Sequence, residues 1–106
     1  MYKGANMLNL LEKAIDLSKE ILELCKEDDW DSVNTLQTQR QQLIALIANT
    51  PLPENNETLN KCSILAATLK SISKEIEILS RVHKEVILTE IKASNKAKRM
   101  TTAYQQ

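Results

Sequence analysis

Few side chains in this sequence could do chemistry. Its 106 residues include one histidine, His83, and two cysteines, Cys25 and Cys62. A zinc site needs three or four thiolate, imidazole or carboxylate ligands at short, regular spacings. These three residues are scattered along the chain without such a spacing, so neither a metal nor any other cofactor is expected. There is no glycine-rich phosphate loop and no strand-turn-helix nucleophile elbow. His83 falls on an apolar stripe, where a lone imidazole reads as a buried or boundary residue. Cys25 and Cys62 also fall in apolar stripes and read as small buried hydrophobes with reduced thiols.

Two charged residues stand among apolar ones. Arg40 lies on the apolar stripe of the second helix, and Glu90 on that of the third segment. Arg40 can pack its stem and turn its head to solvent, or it can meet Glu90 or a partner's carboxylate. Small helical enzymes that hold a dianion inside a bundle need several Arg and Lys converging, and the interior positions here offer only Arg40. The residues therefore point away from catalysis and toward protein binding.

Composition fixes the elements that carry these side chains. One Gly and two Pro are too few for the hairpin turns of a sheet protein of this length. The abundance of Leu, Ile, Ala, Glu, Lys and Gln favours long helices in one all-α domain. Phe is absent and Trp30, Tyr2 and Tyr104 are the only aromatics, so the core is expected to be aliphatic. Fourteen acids balance fourteen bases. Their distribution is uneven: residues 1–31 carry eight acids against four bases, while Lys92, Lys96, Lys98 and Arg99 follow Glu90 with no further acid. That basic end reads as a solvated helix terminus. The start of the chain lacks the pattern of a signal peptide, and the longest apolar run, Leu43 to Ala48, is six residues. A cytoplasmic protein without membrane insertion is expected.

The first helix is expected over 5–27. Met7, Leu8, Leu10, Leu11, Ala14, Ile15, Leu17, Ile21, Leu22, Leu24 and Cys25 form a stripe wide enough to touch two neighbours. Asp28 and Asp29 suit the cap of a second helix over 30–49, with Trp30, Val33, Leu36, Leu43, Ile44 and Ile47 inward. So short a connection forces an antiparallel hairpin. Pro51 and Pro53 end that helix.

The third segment, from about residue 57, repeats in steps of three and four from Cys62 through Leu65, Leu69, Ile72, Ile76, Leu79, His83, Val86, Glu90, Ala93, Ala97 and Met100 to Tyr104. That is a heptad register. Unbroken, it would be about 70 Å long, while each hairpin helix reaches only roughly 30–35 Å. The uncovered end is apolar, since consecutive Val86, Ile87 and Leu88 point over about 200° of the helix circumference. Three arrangements satisfy it. The helix breaks near Ser94-Asn95, giving helices over 57–93 and 95–104 and a four-helix bundle; or it pairs with a second copy as a coiled-coil homodimer; or it keeps its stripe for a client protein.

Ser18 to Ile47, with its leucine-rich first helix, acidic turn, Trp opening the next helix and leucine-spaced continuation, resembles the first hairpin of the FliT flagellar export chaperones. Lys96-Ala97-Lys98-Arg99-Met100-Thr101-Thr102-Ala103-Tyr104 is similar to the basic segment with a late Ala-Tyr that closes the core of that family. The resemblance implies a cytosolic chaperone that binds the C-terminal helical region of the filament cap protein (FliD) and keeps it monomeric for type III export. It also implies contacts with export-apparatus components and a flagellar transcription regulator. Carried onto this chain, it makes Ile72, Ile76, Leu79, Val82 and Val86 a client groove together with residues of the second helix. Ala97, Met100 and Tyr104 become a regulatory cover.

Overall fold

A computed structural model describes residues 6–105, with side chains described over 6–99. The described chain is all-α: α1 spans Met7–Lys26, α2 Trp30–Ala48 and α3 Asn56–Gln105. Each start has a polar cap that satisfies otherwise orphaned N–H groups. The Asn6 side chain accepts from the Asn9 amide at 2.8 Å. The Asp29 side chain accepts from the Ser32 amide at 3.3 Å, and that of Asn55 from the Thr58 amide at 3.1 Å. α1 therefore begins after Asn6. Ala5, where the periodicity placed its start, lies outside the described residues. α2 is capped by Asn49, whose amide donates to the Ala45 and Leu46 carbonyls before Pro51 makes continuation impossible.

α1 supplies most of the core. Its buried residues are Met7, Leu10, Leu11, Ala14, Ile15, Ser18, Ile21, Leu22 and Cys25, whereas α2 buries only Val33 and α3 only Cys62 and Ile76 among the described residues. The broad stripe has the two neighbours its width requires: α1 packs against both α2 and α3. Met7 and Leu11 meet Cys62, Leu65, Leu69 and Ile47 at one end, and Ile21, Leu22 and Cys25 meet Val33, Ile76 and Leu79 at the other. These contacts make α3 parallel to α1 and α2 antiparallel to both. The α2 and α3 backbones nowhere approach within 8 Å, Cα to Cα.

α3 is continuous for 50 residues, and the molecule measures 75 × 25 × 20 Å. The break anticipated near Ser94-Asn95 is not formed, so there is no fourth helix over 95–104. Ser and Asn cost only about 0.5–0.7 kcal/mol each relative to Ala in a helix, and Ala93, Lys96, Ala97 and Lys98 around them are strong helix formers. Nothing there supplies the left-handed residue or the proline of a helix-to-helix turn. α3 therefore outruns the hairpin: every described residue from Lys84 to Arg99 is exposed.

Packing on α1 should dominate stability. Ile21 is 0% exposed, so Ile21→Ala is expected to cost about 2–5 kcal/mol in urea unfolding. Val86 is 50% exposed on the overhang, so Val86→Ala should cost less than about 0.5 kcal/mol.

Candidate functional site at the end of the hairpin

The site begins with the turn between α1 and α2. The Asp28 amide donates to the Cys25 carbonyl at 3.2 Å and the Asp29 amide to the Leu24 carbonyl at 3.0 Å. This pair of bonds is a Schellman motif, whose pivotal residue must be left-handed. Asp28 occupies that place at φ 60°. Glycine is the usual occupant, but Asp tolerates the left-handed region because its short side chain bonds locally. Here the Asp28 Oδ1 accepts from the Trp30 indole Nε1 at 3.1 Å. Asp29 follows as the cap of α2, its other carboxylate oxygen accepting from the Ser32 hydroxyl at 2.8 Å.

The turn thereby aims Trp30 at α3. Its indole lies on the His83 imidazole, ring centroids 4.0 Å apart and planes 6° from parallel. Such a stack contributes about 0.5–1.5 kcal/mol beyond area burial. Around it lies an open cleft of about 440 Å³. Leu79, Val82, Val86 and Ile87 line it from α3, Cys25 from α1, and Trp30 from α2; Asp28 and Glu90 are the charged lining residues. A larger depression of about 580 Å³ at the opposite end is lined by Asn6, Met7, Leu8, Thr50, Pro51, Pro53 and Thr58. Its described lining carries no charge to orient a ligand.

The five expected groove residues separate by burial. Ile76 is 2% exposed and belongs to the core with α1. Ile72 and Leu79 are half-buried against that same cluster. Val82 and Val86, 52% and 50% exposed, present free apolar surface. On α3 the cleft spans Leu79 to Glu90 and includes Leu79, Val82 and Val86 of the expected set. A straight helix carries Ala97 about 17 Å beyond Val86, so it does not lie over the cleft. The side chains of Met100 and Tyr104 lie outside the described residues.

Arg40 does not pair with Glu90. Its Nε donates to the buried Ser18 hydroxyl at 2.8 Å, Nη1 to the Gln37 side chain at 3.4 Å, and Nη2 to the Ser73 hydroxyl. Ser73 in turn donates to the Leu69 carbonyl at 2.7 Å. Ser73 is about 25 Å from Glu90 along α3. Arg40 thus ties α2 to α1 and α3 where the α2 and α3 backbones stand apart. Burial lowers its pKa from the usual guanidinium value, because desolvation penalises the charged form, and it remains protonated at neutral pH. Burial likewise pushes the Cys25 thiol up, which suits a packing residue and not a nucleophile. Cys25 and Cys62 are free thiols in separate core clusters.

Sequence periodicity placed Trp30 and His83 on their stripes without signalling that they stack. It also left Asp28 as a capping residue. The available signal was the acidic pair between two helices with no glycine to take the left-handed position.

None of the described helices is long and apolar enough to cross a membrane. Residues 8–106 match the family described as Flagellar protein FliT. No curated protein and no solved structure matches the chain.

Two outcomes follow from the geometry. Arg40→Ala strands the buried Ser18 hydroxyl and should cost about 1–3 kcal/mol, while Arg40→Met with Ser18→Ala, which removes both polar partners, should recover most of that loss in urea unfolding. His83→Ala removes the stack on Trp30, so the emission of this sole tryptophan should shift to the red while far-UV helicity is retained.

Proposed function

The chain belongs to the FliT family of flagellar export chaperones, and on that footing we propose that it binds the C-terminal helical region of the filament cap protein in the cytoplasm. It keeps that region from self-assembling and delivers it to the type III export machinery. One observation carries the proposal: past the end of the hairpin, α3 exposes Val82, Val86, Ile87, Leu88 and Ile91, each at least 39% accessible. Isolated exposed apolar residues are ordinary, but Val82, Val86 and Ile87 line the aromatic cleft together, Leu88 and Ile91 adding apolar surface on other sides of α3, and such a cleft fits an amphipathic helix laid into a groove. In this proposal Leu79, Val82 and Val86 contact the client directly, while Ile72 and Ile76 hold α3 in place on α1. Contacts with export-apparatus components and a flagellar transcription regulator belong to the same proposal.

A regulatory cover of Ala97, Met100 and Tyr104 requires α3 to bend at Ser94-Asn95. The cover belongs to the proposal: bent back, it hides the cleft until a client displaces it. A second reading is a coiled-coil homodimer acting as a structural or regulatory adaptor, favoured by the length of the uninterrupted helix and its heptads.

The test is solution mass with and without an equimolar C-terminal segment of the filament cap protein. A 1:1 complex is expected, and Met100→Ala or Tyr104→Ala, by loosening the cover, should tighten it. Unchanged or weaker binding by both variants would contradict a displaceable cover. A stable dimer indifferent to the segment would contradict the chaperone assignment and favour the coiled coil.

A further inference from the structure

The cleft is apolar on its walls and of one charge at its edge. Every charged residue lining it is acidic: Asp28 from the turn and Glu90 from α3. Among the described residues the Glu90 side chain has neither a hydrogen bond nor an ion pair, whereas Arg81 and Lys26 are engaged on their own helices with Glu77 and Glu23, both at 3.6 Å. The turn adds Glu27, Asp29 and Asp31 behind Asp28, so the turn side of the cleft is acidic, while the cations of α3 nearest Glu90, Lys84 and Lys92, do not line it. Glu90 also occupies the heptad position after Val86, on the face that a docked helix would cover. A carboxylate covered without a cation loses its hydration uncompensated, so this face rejects wholly apolar or acidic segments as well as attracting basic ones.

We propose that the cleft selects a partner helix with a Lys or Arg next to its apolar anchors. That cation pairs with Glu90 and Asp28 while the anchors pack on Trp30, Leu79, Val82 and Val86. The inference rests on the chaperone reading and adds to it the chemistry by which the client is chosen and its register set. Charge complementarity of this kind governs specificity and encounter rate more than total affinity.

Trp30 reports occupancy of the cleft, being the single tryptophan of the chain. The experiment titrates the full chain, and its Glu90→Gln and Glu90→Lys variants, with a tryptophan-free C-terminal segment of the filament cap protein, following Trp30 emission. Glu90 is exposed, so neither variant should disturb folding. Glu90→Gln is expected to weaken binding about threefold and Glu90→Lys about tenfold or more, with affinity falling as salt rises. Changing one Lys or Arg of the segment to Glu should restore binding to the Glu90→Lys chain. Equal affinity of all three chains would overturn the charge selection and leave the chaperone assignment standing. No binding by the unaltered chain would overturn both. Self-association of the chain that Glu90→Lys abolishes, with no response to the segment, would assign the cleft to a second copy and overturn the proposal.

Discussion

Burial of α1 on two sides is the constraint from which the rest of the architecture follows. A helix with so broad an apolar face cannot be satisfied by one neighbour, and α2 and α3 each take one flank. In doing so they are held apart from one another. The gap is spanned by side chains: Arg40 reaches from α2 to Ser18 and Ser73 near the middle, and Trp30 stacks on His83 at the end. Because α1 and α2 are short and α3 is long, the arrangement leaves an apolar overhang that, among the described residues, no element covers.

The Asp28 turn joins local conformation to the site. A left-handed residue closes α1 and starts α2 within two positions. An Asp in place of Gly incurs a conformational cost, offset by its bond to the Trp30 indole. That bond fixes the aromatic wall of the cleft and leaves a negative charge at its rim. A single residue thus sets the turn, aims the aromatic ring and contributes to the polarity of the opening.

Much of this was legible in the residues. The step of three and four through α1 and α3, the two prolines after Thr50, and the acids before Trp30 gave the helices and their connections, because those signals act locally. The match over residues 8–106 agrees with the family resemblance read from the hairpin and the basic end. The continuity of α3 through Ser94-Asn95 was not legible: those residues weaken a helix without ending it, and only neighbouring contacts decide. How far the stripe of α3 is covered was not legible either, since periodicity gives a residue's face but not how far its partner extends. Ile76 and Val86 share one stripe, yet α1 reaches only the first. Arg40 was recognisable as a misplaced charge, but its serine partners are about 22 and 33 positions away and carry no pattern that pairs them with it.

The central claim is that the α3 overhang beside Trp30 is where a client helix docks. Amide hydrogen exchange of the chain, with and without the C-terminal segment of the filament cap protein, tests it most directly. The account predicts that binding slows exchange over residues 84–93, where every residue of α3 is exposed. Protection confined to the exposed face of α2 around Ile44 and Leu46, with the overhang unchanged, would contradict it.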